Sequence, residues 1–233
     1  SILLATGFEE IEALAPLDVL RRLNYGVELI SMTKSYYVKS SHGVDIKADK
    51  LFDLEIMNSN AVIIPGGLPG AINLRDDDRV ISLIKKFFND NKLVAAICAG
   101  PIVLGKANIL EELEATSYPG FEDALKCKEY REDKVIISKN VITSRGPATA
   151  FDFAFAIAKY LGLDISKLEK NIDTLEDSEK LKVYTSIEQI IISYNNLYVS
   201  VELNEKNDYR ELLSLYTSKV SEYTDKVIKE NVN

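Results

Sequence analysis

The first two thirds of the chain predict an α/β fold in which a mostly parallel sheet is covered by helices on both faces. Short β-branched apolar runs recur, amphipathic stretches with helical spacing lie between several of them, and turn residues follow the runs. Ile2 to Ala5 reads as the first buried strand. Ile11 to Leu23 follows as a helix stopped by Gly26, with Ile11 and Leu14 expected on its core side. Val27 to Ile30 is the second strand, and Ser41-His42-Gly43 reads as a turn joining two short ones. Ala61 to Ile64, Leu93 to Ile97 and Val141 to Thr143 are further buried strands, with helices at Val80 to Phe88 and Ala148 to Leu161. Ligands of such folds sit at the carboxyl ends of the strands. The segments to search are therefore Thr6 to Glu12, Pro65 to Gly70, Cys98 to Pro101 and Ser144 to Pro147.

The chain has 233 residues, a length for one large domain or one domain with an appendage, and 46% hydrophobic residues supply a sizeable core. A net charge of −8 without a basic patch argues against nucleic acid and anionic membrane as partners. Two cysteines, far apart, make neither a disulfide framework nor a metal-ligand spacing, so a reducing compartment, by default the cytoplasm, is expected. No stretch has the length of a membrane span or the pattern of a signal peptide. Neither a metal nor a cofactor is expected.

Cys98 ends an apolar strand and opens a small-residue helix start, Ala99-Gly100-Pro101. At such a turn the thiol projects from the sheet edge toward free helical N–H groups, which favour the thiolate that attacks electrophiles. Alternatively it is a buried small residue, as free cysteines commonly are. In Gly7-Phe8-Glu9-Glu10-Ile11-Glu12, Glu9 and Glu10 read as helix-start acids, whereas Glu12 falls among apolar positions. A carboxyl held there tends to stay neutral and can donate a hydrogen bond to a thiolate. Pro65-Gly66-Gly67-Leu68-Pro69-Gly70 lacks the marks of a nucleotide loop but suits a backbone oxyanion hole. Arg145, in Ser144-Arg145-Gly146-Pro147, suits a carboxylate of the fold or of a substrate.

In order and spacing, Gly7 to Glu12, Pro65-Gly66-Gly67, Ala95 to Pro101 and Thr143 to Pro147 resemble the DJ-1/ThiJ/PfpI superfamily, its DJ-1/ThiJ branch in particular, over roughly residues 1–163. The resemblance implies a flavodoxin-like three-layer sandwich and a homodimer. It makes Cys98 the reactive, oxidation-prone cysteine and Glu12 its hydrogen-bonded glutamic acid. Gly66, Gly67 and Ala99 fall on the oxyanion pocket, and Tyr118 stands where some members carry a histidine. Tyrosine is a poor base near neutral pH, which leaves Glu12 as the better proton shuttle. Arg145 and Tyr118 join the substrate-binding candidates. His42, the only histidine, falls on the segment that reaches the partner's pocket in family dimers, though an exposed turn is the plainer reading. Ala99 follows the cysteine where protease-like members have histidine, which disfavours a cysteine peptidase.

The resemblance implies a glyoxalase or deglycase, a cysteine-dependent hydrolyase that converts 2-oxoaldehydes such as methylglyoxal to lactate without glutathione, acting on small aldehydes or glycated side chains. The alternative is a non-enzymatic oxidative-stress sensor or chaperone that works through oxidation of Cys98. Leu168, Ile172 and Leu175 suggest a last short helix, which ends the first domain at 1–175. Over 176–233, apolar and tyrosine residues recur at helical spacing on both sides of Asn204 to Asp208, predicting an α-helical hairpin that serves packing or oligomerisation.

Overall fold

The computed structural model describes residues 1–166 and 168, within the first of the two units into which the chain divides, Ser1–Glu169. Ile172, Leu175 and the hairpin predicted over 176–233 lie outside the described residues.

Strands β1 (Ile2–Leu4), β2 (Leu29–Ser31), β3 (Tyr37–Lys39), β4 (Asp45–Lys47), β5 (Lys50–Leu51), β6 (Ala61–Ile64), β7 (Leu93–Ile97), β8 (Glu114–Ala115), β9 (Glu129–Tyr130), β10 (Val135–Ser138) and β11 (Val141–Ser144) are joined through helices α1 (Glu10–Arg22), α2 (Gly70–Arg75), α3 (Asp78–Asn89), α4 (Pro101–Lys106), α5 (Glu122–Leu125) and α6 (Ala150–Tyr160). The main sheet has seven strands in the order β10-β11-β7-β6-β1-β2-β5. Its pairs are parallel except β10 with β11, which form an antiparallel hairpin at one edge.

Strand side chains alternate between the two faces of a sheet, and here each face has its own core. Leu3, Val62, Ile64, Val94 and Ala96 pack with Leu74, Leu83, Ile84, Phe87 and Val103 of α2 to α4. Ile2, Leu4, Ile63, Ala95, Ile97 and Ile142 pack with Val19 and Leu20 of α1 and Phe153 and Ile157 of α6. This is the three-layer, flavodoxin-like arrangement that the resemblance implies. Because the central strands are covered on both sides, they read in the sequence as unbroken apolar runs. The β6 and β7 bounds match the expected ones, and the others agree within a residue or two.

One expectation for α1 is corrected. Ile11 is 48% exposed, whereas Leu14, partly buried, packs against the core beside the covered face of Ala13, Ala15, Pro16, Val19 and Leu20. Glu12 is nonetheless completely buried, at 0% exposure. The first turn of α1 crosses the carboxyl edge of the sheet, so its inward position meets the loop after β6 rather than the apolar core.

Candidate active site

The loops after β1, β6, β7 and β11 knit together at the carboxyl edge. Glu9 N–H donates to the Gly66 carbonyl at 3.0 Å, Gly70 N–H to Gly7 at 3.2 Å, and Cys98 N–H to Ser144 at 2.9 Å. The β3-β4 hairpin closes one side through Gly7 N–H to Lys39 O and Ser41 N–H to Phe8 O, both 2.8 Å. Cys98 lies where β7 turns into α4, with φ of +63°, a left-handed conformation that costs a non-glycine residue energy and that the surrounding contacts enforce. It packs against both cores and is partly buried.

Glu12 faces it. Its Oε2 accepts the Gly66 N–H at 2.8 Å, and its carboxyl lies against Cys98, each group shifting the titration of the other. Its Oε1 is buried with no partner of its own. Burial, then the negative charge of Glu9, push the Glu12 carboxyl from 4.5 up to about 8, against the opposing pull of Cys98 and the Gly66 N–H. Glu12 is therefore protonated at neutral pH. This agrees with the neutral carboxyl expected at that position.

The expected thiolate is not the resting form. Burial first, then the charge and hydrogen bond of Glu12, push the Cys98 thiol up to about 12, outweighing the N–H groups of Ala99 and Gly67 that pull it down. Those two amides nevertheless bear on the sulfur, where an oxyanion on a carbon bonded to it would be stabilised. Gly66 acts differently from these two, because its N–H is committed to Glu12 and so holds the carboxyl rather than an oxyanion. A Cβ there would lie 2.7 Å from the Cys98 Cβ and 2.7 Å from Glu12 Oε2, which makes glycine a steric condition of the pair's contact.

Tyr118 is 48% exposed and tied to the site through its backbone, its N–H donating to the Cys98 carbonyl at 2.9 Å. Its ring packs over Gly146. His42 lies in the exposed turn between β3 and β4, its Nδ1 3.0 Å from Glu10 Oε2 of its own chain. Glu9, Glu10 and His42 are the one group among the described residues with donor atoms close enough for a metal ion. Glu9, however, caps α1, its Oε2 accepting the Glu12 N–H at 2.8 Å. The sequence reading gave Glu9 that capping role and missed its second effect, the charge that helps keep Glu12 protonated. The signal was present in the three-residue spacing, which puts both carboxylates on one side of the first helical turn. Cys127 is partly buried against the α2–α4 core.

No helix among the described residues is long and apolar enough to cross a membrane. Known proteins resemble this chain in sequence and fold. The chain is 36% identical over 171 residues to Protein DJ-1 homolog B of Arabidopsis thaliana, a match covering 70% of this chain and 39% of the plant protein, so it spans about two fifths of that longer relative. It is 37% identical over 165 residues to the Parkinson disease protein 7 homolog of Danio rerio, covering 69% of this chain and 87% of that one. Among solved structures, oxidized Toxoplasma gondii DJ-1 superposes with a TM-score of 0.65 at 36% identity, covering 69% of this chain and 88% of that one. Residues 1–160 match the DJ-1/PfpI family, and the chain belongs to that family.

Proposed function

We propose that this chain is a glutathione-independent glyoxalase of the DJ-1 type, a cysteine-dependent enzyme that converts small 2-oxoaldehydes to 2-hydroxy acids. The observation that carries the reading is the fully buried Glu12 with one carboxyl oxygen on Gly66 and the other unpartnered, beside a sulfur that meets two backbone N–H groups. The Cys98 sulfur adds to the aldehyde carbon of methylglyoxal, and the developing oxyanion is held by the Gly67 and Ala99 amides. The pair reacts once it has shed one proton to water: Glu12 takes up the thiol proton as the sulfur adds and passes it to that oxygen, giving a hemithioacetal. As carboxylate it then removes the hydrogen from the same carbon, and as acid it returns a proton to the neighbouring carbon. The aldehyde carbon is oxidised to a thioester while the ketone is reduced to an alcohol, so no external oxidant is needed. Water cleaves the thioester, releasing lactate and restoring the thiol.

The site disfavours a cysteine peptidase, since Ala99 follows the cysteine and the sole histidine is held by Glu10. The sensor reading draws on the same groups, since the oxygens of a sulfinate on Cys98 would find protonated Glu12 and the two amides as donors. A homodimer and cytoplasmic location fit the family and are part of this proposal. Methylglyoxal consumption with lactate detection, without glutathione, decides between the readings. Lactate formed by the wild type and lost in Cys98→Ser supports the enzyme, whereas no lactate from folded, reduced wild type refutes it and leaves sulfinate formation under mild peroxide as the property to measure.

A further inference from the structure

Among the described residues, Arg145 has no ion-pair partner, and it follows the strand that pairs with the one ending at the reactive cysteine. It directly follows Ser144, which pairs with Ile97 and whose carbonyl accepts the Cys98 N–H at 2.9 Å, so its backbone stands level with Cys98. Neighbouring strands run about 4.8 Å apart. The Nη1 of its guanidinium is buried with no hydrogen-bond partner. Glu122, a carboxylate that feels its charge, is already occupied, both oxygens accepting the Gly120 N–H at 2.9 Å. The guanidinium thus lies beside the Tyr118–Glu122 loop without being bound by it. That loop is anchored on the cysteine through Tyr118 N–H to Cys98 O, and its Tyr118 ring covers Gly146, the residue after Arg145.

A buried donor of a charged group left unpaired is unfavourable, and native structures retain few without a reason. The planar fork of arginine matches a carboxylate better than any other anion-binding side chain. Building on the glyoxalase reading, we propose that Arg145 is an anion subsite, and that the preferred substrates are 2-oxoaldehydes carrying a carboxylate on a short tail. With 4,5-dioxopentanoate as the probe, Cys98 bonds the aldehyde carbon and Arg145 pairs with the far carboxylate. The same internal redox step and one water then give 2-hydroxypentanedioate, with every atom accounted for.

The test compares 4,5-dioxopentanoate with uncharged 2-oxopentanal in wild type, Arg145→Gln and Arg145→Lys. The kcat/KM ratio of charged to uncharged substrate should exceed 10 in wild type, fall at least tenfold in Arg145→Gln, mainly through KM, and recover in part in Arg145→Lys. A wild-type ratio near one, or equal losses on both substrates, overturns the subsite. If the wild type turns over neither substrate, the glyoxalase reading fails, and the subsite is judged by binding alone. Calorimetric binding of unreactive 4-oxopentanoate to Cys98→Ser should then weaken at least tenfold on adding Arg145→Gln, and unchanged binding overturns it.

Discussion

Replacing Glu12 with glutamine tests the proton held at the site through stability as well as chemistry. In the folded chain Glu12 keeps its proton to about pH 8, whereas at its ordinary value of 4.5 the unfolded chain has released half of it. Between those values the native state binds more protons than the unfolded state, so stability falls as pH rises. The contribution is fully present below about pH 4.5 and is lost by the time the pH has passed through about 8. At about 1.36 kcal/mol per pH unit, the span from 4.5 to about 8 sets a ceiling of roughly 5 kcal/mol on that loss. Glu12→Gln keeps an oxygen for the Gly66 N–H and mimics the neutral carboxyl, but cannot ionise. Urea unfolding of both proteins at pH 5 and pH 8 isolates the effect, because the other titrating groups cancel in the difference. The stability difference should move in the variant's favour by about 2–4 kcal/mol from pH 5 to pH 8. A difference constant within about 0.5 kcal/mol would refute the raised carboxyl and the proton shuttle built on it.

In Glu12→Gln the charge that holds Cys98 as a thiol is absent, so the pH profile of iodoacetamide alkylation should shift to lower pH than in wild type; a shift to higher pH contradicts the pairing. For the wild type, kcat/KM on methylglyoxal should rise with pH toward about 8, where the pair sheds its first proton, and a profile already flat from pH 5 would exclude Glu12 as the group that titrates. Gly66→Ala places a methyl 2.7 Å from both Cys98 Cβ and Glu12 Oε2, and should cost about 1–3 kcal/mol in urea unfolding and at least tenfold in Cys98-dependent turnover. Ser144→Ala removes the buried hydroxyl that donates to Lys134 O at 2.7 Å and meets Thr149 Oγ1 at 2.6 Å; about 1–3 kcal/mol of stability should go, with the Cys98 alkylation rate at neutral pH changing less than about threefold.

Much of the fold was legible because the central strands are buried on both faces. Leu93 to Ile97 and Ala61 to Ile64 have no polar residue to blur their ends, and both were read with their observed bounds. The edge strand β10 was not, since a one-sided position such as Ile137, 55% exposed, breaks the apolar run that marks a strand. Ile11 misled for the opposite reason: helical spacing predicts a face, but not which turn of the helix hangs beyond the sheet. Glu12 was found because a carboxyl at an apolar position is locally anomalous. The buried charge of Glu9 was hidden by its ordinary capping role.

The sequence by itself determined the α/β architecture, the cysteine at a strand-to-helix turn and the loops that surround it, because strand length, turn chemistry and residue order are local properties. Tertiary structure decided the protonation of the site. The N–H that holds Glu12 comes from Gly66, 54 residues away, and the thiol expected to ionise is kept protonated by burial and by the carboxyl beside it. It also decided that Arg145 finds no carboxylate of the fold within ion-pair distance among the described residues. Desolvation and charge proximity depend on which distant segments share a small volume, and helical and strand periodicity carry no record of that.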